Sequence, residues 1–583
     1  MKHTRTLLAA TLALSLAACG QQTASLPGTS PVALVPGTSD EAISGAYLVG
    51  FKQGALSAQS LSEQAAIQAQ AIAAAGGVMT SQWAEISAAA VKLSPAALAK
   101  LQGNSLVEYV EPDLVRRAMG SRSGTTDAAP KAGLSSQGLR AQALYSPSGE
   151  FTWGDNALRV ADLRTANYTG AGVAVCVGDT GIDGNHPEFQ KKIAGYKNFT
   201  GELNRDDAYK LNDVSHHGTH VAGTVFAQYG AGTGAGGQQD GMDPNGVVGV
   251  ATGINLFIAR VLGDDGSGSS SGIINGVKWC ASQLKSQGGT QDKVVISLSL
   301  GGGRASKTEQ RAYTDVYNKG VLTVAATGND GAAVSYPAAY NYVVGVGAVN
   351  SDLAKADFSN FGAQVDLVGP GVDVLSSVPV GQGSRASASG AGVTFKEVQS
   401  ADLSGKGTVS GTVVKAGDGT GTAGANEFCG TSTRNAALSG NIALISRGNC
   451  SFEEKVANAA ASGATGVMIY NNTTGPLGMS LTNSYSIPVV GILQADGQNL
   501  VKLTPTSGSV AVTSADYEYY NGTSMATPHV SAAAAVVWAA KPTLSNSSLL
   551  TQLTSTAKDL GTVGRDDNYG HGLVDPLKAI TGQ

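Results

Sequence analysis

An acid, an imidazole and a hydroxyl, far apart in the chain, each stand in a setting that suits nucleophilic catalysis. Asp179 closes Val175-Cys176-Val177-Gly178-Asp179-Thr180-Gly181. The short apolar strand would deliver the carboxylate to its carboxyl end, where open α/β sheets place their sites. There a carboxylate can fix an imidazole's tautomer and stabilise its protonated form. His217 opens His217-Gly218-Thr219-His220-Val221-Ala222-Gly223, a helical pattern whose small residues allow close packing on a sheet. An imidazole set between an acid and a nucleophile can act as base and then as acid. Ser524 stands in Asn521-Gly522-Thr523-Ser524-Met525-Ala526-Thr527-Pro528, directly ahead of an Ala-rich run ending at Ala540. Its hydroxyl is expected at a helix N-terminus, where free N–H groups and the macrodipole favour developing negative charge.

Three rival chemistries fit less well. Asp179-Thr180-Gly181 alone would also suit an aspartic protease, but no second Asp-Thr/Ser-Gly follows in a β-rich setting. His216 and His220 are four apart, as in a zinc helix, yet Gly218 takes up the middle and the glutamate of His-Glu-x-x-His is missing. Ser524 with Asp566 and His571 would imitate an α/β-hydrolase, but Ala526 occupies the last glycine of that motif and the two partners are only five apart.

The elements that must position these groups can be read from the apolar pattern. Runs at 172–177, 256–261, 294–300, 320–326 and 343–349 alternate with helical stretches. That order predicts an α/β fold with a mostly parallel, doubly wound sheet covered on both faces. The pattern breaks at 383–516, richer in strand, Gly and Thr, then resumes; this predicts an inserted β-rich domain dividing a catalytic unit into 151–382 and 517–583. Ahead of it, 45–119 reads as a compact strand–helix–strand–helix–strand segment opening with Ala46-Tyr47-Leu48-Val49. Residues 19–44 read as a tether and 120–150 as a linker, both rich in small and turn-forming residues.

Composition narrows the function classes. The 583 residues allow about three or four domains. A net charge of −5 without a basic run argues against nucleic acid and anionic membranes as partners. Lys2 and Arg5 precede an apolar run from Leu7 to Ala18 that is too short to span a bilayer, so 1–18 reads as an export signal. It ends in Leu16-Ala17-Ala18-Cys19, which resembles the lipobox of bacterial lipoproteins, with Cys19 as the lipidated residue. The four remaining cysteines permit two disulfides in an exported chain. Cys429 and Cys450, close in one segment, are the favoured pair. Cys176, in an apolar run, and Cys280, in a helical pattern, are candidates for buried thiols.

The three motifs around Asp179, His217 and Ser524, in that order, resemble the subtilisin family of serine proteases. The resemblance covers about 151–379 and 517–580, and it implies a secreted endopeptidase acting on protein substrates, monomeric and without a catalytic cofactor. By the same resemblance, Ala325-Ala326-Thr327-Gly328-Asn329 makes Asn329 an oxyanion donor, alongside the Ser524 N–H. Ser299, Leu300, Gly301 and Gly302 become one substrate edge, and Gly266, Ser267 and Gly268 the other. A peptide would lie between them as an added strand. Gly178 departs from the bulky aliphatic usual before the acid, a loss of packing that Val177 or Cys176 could offset. The closing strand, Val107-Glu108-Tyr109-Val110-Glu111-Pro112-Asp113, resembles that of a ferredoxin-like inhibitory propeptide, to be removed by a cut between about Met119 and Ser148. Removal would also free the enzyme from a lipid on Cys19. Asn245-Gly246-Val247-Val248-Gly249-Val250 resembles a subtilisin calcium loop, which makes Asp240, Asp243 and Asn245 candidate ligands for structural Ca²⁺. Residues 440–455 and 463–472 resemble the protease-associated domain, a non-catalytic module; the position of Cys450 before Ser451-Phe452 supports its bridge to Cys429.

Overall fold

The computed structural model describes residues 42–54, 59–122, 145, 148–230, 246–395, 397–417, 426–473, 477–479 and 481–583. Asp240, Asp243, Asn245 and Cys19 lie outside them. The central strand, Ala174–Asp179, is buried along its whole length. Apolar and small residues on both faces suit a strand covered from above and below. Around it runs a seven-stranded sheet in the order Leu367–Pro370, Val343–Val349, Leu322–Ala326, Val294–Leu298, Ala174–Asp179, Asn255–Arg260, Ile193–Asn198. Every pairing is parallel. On one side of Ala174–Asp179 the chain lays down the edge strand Ile193–Asn198 and then fills the gap with Asn255–Arg260, and it next crosses to build outward on the other side. The order therefore reverses between that strand and Val294–Leu298, and Asp179 and Ser299 leave the sheet at the switch point, where such sheets open a crevice. Helices His217–Phe226 and Thr523–Ala540 pack together against the sheet, as do Ser270–Ala281 and Lys307–Asn318.

Gly178 behaves differently from the expectation. A Cβ there would lie 2.7 Å from Leu298 Cδ2, so the space is filled by Leu298 from the neighbouring strand rather than by Val177 or Cys176. Cys176 and Cys280 are not free thiols: they form a disulfide, as do Cys429 and Cys450. The first bridge fastens the central strand to helix Ser270–Ala281 across 104 residues of sequence.

The N-terminal unit is a βαββαβ sandwich, one strand richer than the sequence pattern implied. Val78–Trp83 and Ala88–Lys92 form a tight antiparallel pair where one strand was expected. The four strands lie in the order Val107–Ala118, Ala42–Phe51, Ala88–Lys92, Val78–Trp83. One face covers Ile72, Ala97 and Leu101 of the unit's own helices. The other presents Leu48, Trp83, Ile86, Ala88 and Ala90 to Ile274 and Ala312 on helices Ser270–Ala281 and Lys307–Asn318. The alanines let strands and helices approach closely. Glu111 and Asp113 complete the join as helix caps. Thr308 N and Lys307 N donate to Glu111 at 2.9 and 3.0 Å, and Ser271 N donates to Asp113 at 3.0 Å, satisfying first-turn N–H groups that would otherwise have no acceptor.

The insert forms an eight-stranded sheet of its own. It departs along Gly383–Gly390 and returns along Thr506–Ala515, which pair antiparallel from Gly383↔Ala515. Just before them, Val374–Ser377 and Tyr517–Asn521 pair from Ser377↔Tyr517. The outgoing and returning strands thus run side by side where the insert meets the parallel-sheet unit.

Filling the Gly178 position tests the packing account. In a Ser524→Ala background, Gly178→Val is expected to destabilise by about 1–3 kcal/mol through overpacking, measured by denaturant unfolding. Adding Leu298→Ala should return part of that loss; a second substitution that only worsens stability would contradict the account.

Candidate active site

Asp179 and His217 meet as the motifs predict. His217 Nδ1 lies 2.7 Å from Asp179 Oδ1, and Thr180 N donates to the same oxygen at 2.7 Å. Both side chains are buried, at 0% and 3% exposure. The helix that carries His217 is anchored by Asp213, which the motif reading passed over. Asp213 accepts from Thr180 Oγ1 at 2.7 Å and from Thr219 N at 2.7 Å, and Thr180 Oγ1 accepts from Gly218 N at 2.8 Å. A buried carboxylate thereby ties the loop after Asp179 to the helix that begins at His217. Its place four residues before His217 was the available signal.

His217 responds to two opposing effects. Burial pushes the imidazole down, and the Asp179 carboxylate outweighs it, holding His217 above its ordinary value. His220 belongs to no metal site. Its Nε2 donates to the carbonyls of Val374 and Glu518 at 3.0 and 3.1 Å, its ring stacks on Tyr520, and burial lowers it to about 3. Among the described residues, no group of three His, Cys, Asp or Glu side chains is arranged to hold a metal ion.

The hydroxyl stands apart from this pair. Ser524 Oγ donates to Ser299 O at 2.9 Å, and His217 Nε2 makes no hydrogen bond. Between them sits Gly120. A Cβ on that residue would lie 3.0 Å from both His217 Nε2 and Ser524 Cβ, so imidazole and serine face each other across it.

Asn329 and the Ser524 N–H converge on one atom. Asn329 Nδ2 donates to Met119 O at 2.8 Å and Ser524 N donates to it at 3.0 Å. The Asn329 amide is oriented by Thr523, whose N and Oγ1 both donate to Asn329 Oδ1 at 2.9 Å. Gly522 makes the approach possible: at φ 154° a Cβ would sit 2.4 Å from Met119 O.

The predicted edges hold the strand that leads to Met119. Leu300 and Gly301 pair with Ala118 and Arg117, and Ser267 and Gly268 with Arg117 and Arg116. Met119 N donates to Ser299 O at 3.1 Å and Ala118 N to Gly266 O at 2.9 Å. Gly302 flanks the Arg116 side chain. Beyond Gly120, where a linker was expected, Ser121 and Arg122 pair with Asn521 and Tyr520.

Comparison with known proteins agrees with this architecture. The Subtilase family profile matches residues 170–572. This chain belongs to the subtilase family. It is accordingly a serine-type endopeptidase. The Fervidolysin N-terminal prodomain profile matches residues 30–113, so the N-terminal unit is a propeptide. Subtilisin NAT of Bacillus subtilis subsp. natto is 32% identical over 340 residues, 58% of this chain and 74% of that protein. The subtilisin-like protease Apa1 of Pseudoalteromonas sp. AS-11 is 30% identical with a TM-score of 0.53, covering 74% of this chain and 98% of that one. Fervidolysin from Fervidobacterium pennivorans shares the fold at 20% identity and a TM-score of 0.55, covering 94% of this subtilase and 62% of fervidolysin.

The balance at His217 gives a titration test. In a Ser524→Ala precursor, the imidazole should titrate above its usual range by NMR, and Asp179→Asn should move it downward because burial then acts without the carboxylate. No downward movement would refute the balance.

Proposed function

We propose that this subtilase matures by cutting its own chain between Met119 and Gly120. The observation that carries the reading is the Met119 carbonyl oxygen, which accepts from both Asn329 Nδ2 and Ser524 N. Two donors on the carbonyl of a bond beside a serine are the arrangement that stabilises a tetrahedral oxyanion. In this reading Ser524 Oγ turns from Ser299 O toward His217 Nε2 and attacks the Met119 carbonyl carbon. His217 takes the hydroxyl proton, and Asp179 stabilises the imidazolium. The same proton then passes to the Gly120 nitrogen as the peptide bond breaks, leaving Met119 esterified to Ser524. Water, activated by His217, releases the propeptide with Met119 as its C-terminus. The severed strand keeps its ladder partners and so blocks the cleft as a product inhibitor.

After its release, the same edges would receive extended segments of other proteins through main-chain hydrogen bonds. Leu16-Ala17-Ala18-Cys19 supports an exported precursor carrying lipid on Cys19, from which the cut at Met119 would free a monomeric secreted enzyme. Among the described residues, no helix is long and apolar enough to cross a membrane. Structural calcium near 245–250 and a protease-associated role for 383–516 rest on motif resemblance.

Electrophoresis, intact mass and N-terminal sequencing of wild type beside Ser524→Ala test the proposal. Wild type should yield a mature chain beginning at Gly120, and Ser524→Ala should remain uncut. A normal cut in that variant, or a wild-type first cut at another bond, would refute it. Asn329→Ala should slow self-cleavage by about 10²–10³-fold, read as the half-life of the precursor.

A further inference from the structure

Four residues from the bond in the oxyanion site, the cleft holds a buried charge pair that backbone recognition does not require. Arg116 and Glu309 are each 1% exposed. The guanidinium meets the carboxylate as a fork, Nε to Oε1 at 2.9 Å and Nη2 to Oε2 at 2.6 Å. Nη2 also donates to the Arg304 carbonyl at 2.8 Å. Neighbouring Arg117 points outward and is exposed, as strand alternation requires. Glu309 is held from its own side of the cleft. Its oxygens accept from Tyr340 Oη at 2.8 Å and from Ser270 Oγ, and Tyr340 Oη in turn accepts from Ser306 N at 2.6 Å. Gly302 leaves room for the guanidinium, because a Cβ there would stand 2.8 Å from Nη1.

Every group that fixes Glu309, apart from Arg116 itself, belongs to the catalytic unit. The carboxylate is therefore positioned before any peptide arrives and remains when the propeptide leaves. An apolar side chain seated over it would bury the charge without a partner, which is strongly unfavourable. A lysine offers a point charge where the carboxylate and the Arg304 carbonyl present acceptors spaced for a planar fork. Strand register delivers this side chain to this place, since Arg116 lies opposite Gly268 while Met119 O occupies the oxyanion site.

We infer that Glu309, set by Ser270 and Tyr340, forms a guanidinium pocket that selects arginine four residues before the scissile bond, in the precursor and in protein substrates alike. The inference rests on the register proposed above, in which Met119 carries the bond that is cut.

The test uses mature enzyme and internally quenched peptides spanning residues 113–124, with arginine, citrulline or leucine at the position of Arg116. Citrulline keeps the shape and removes the charge. The arginine peptide should have a kcat/KM about 10–100-fold above the other two, as charged hydrogen bonds of this kind imply. Glu309→Gln should bring arginine down to the citrulline level. The substrate series stands alone if that variant does not fold. Equal hydrolysis of all three peptides, with casein still digested, would overturn the pocket and leave the peptidase reading intact. Peptides cut only at bonds other than Met-Gly, with casein digested, would overturn both the register and the pocket. Failure to digest casein would overturn the peptidase reading as well.

Discussion

Two N–H groups, one from a side chain and one from the backbone, close on the carbonyl oxygen of Met119. Neither donor could arrive there alone. The Ser524 N–H is placed by the start of a long buried helix packed on the parallel sheet, and the Asn329 amide is placed by the loop that follows the strand Leu322–Ala326. Thr523 links them by donating twice to Asn329. The remaining architecture can be understood as what keeps these loops in register. The switch point opens the crevice, Asp213 locks the loop after Asp179 to the helix that begins at His217, and the propeptide strand fills the gap between Ser267–Gly268 and Leu300–Gly301.

The propeptide is more than a plug. Its buried alanines meet helices Ser270–Ala281 and Lys307–Asn318, and Glu111 with Asp113 satisfies their first-turn N–H groups. These helices contribute Ser270 and Glu309 to the pocket around Arg116. The helix caps Glu111 and Asp113 and the residues that occupy the cleft therefore come from one continuous strand, Val107–Ala118, while the buried alanines sit on Ala88–Lys92.

Much of this was legible in the sequence because the informative residues sit at the ends of regular elements. A carboxylate after an apolar strand, a histidine opening a small-residue helix and a serine before an alanine-rich one are local signals, whereas the glycines of the two edges gain meaning only through the family resemblance. Long-range pairings were not legible. Nothing local marks Cys176 as the partner of Cys280, because the sheet and its covering helix bring them together only in the fold. The packing at Gly178 was missed for the same reason: Leu298 reaches it from an adjacent strand. The extra propeptide strand was hidden by alanines, which carry little strand signal yet are what close packing on a helix needs. Arg116 and Glu309 are nearly two hundred residues apart, and each alone reads as an ordinary surface charge. The orientation of Ser524 toward Ser299 O is a rotamer choice, which a motif cannot encode.

The paired strands that carry the chain into and out of the insert also fix where the excursion begins and ends. Ser377 and Tyr517 are already matched before the excursion begins, and Gly383 and Ala515 continue the ladder. Closing the long loop is therefore settled at its base, and its closure entropy grows only slowly with further length. The ribbon acts as a socket. Whatever folds beyond it can differ in size without displacing the helix Thr523–Ala540, only a few residues downstream.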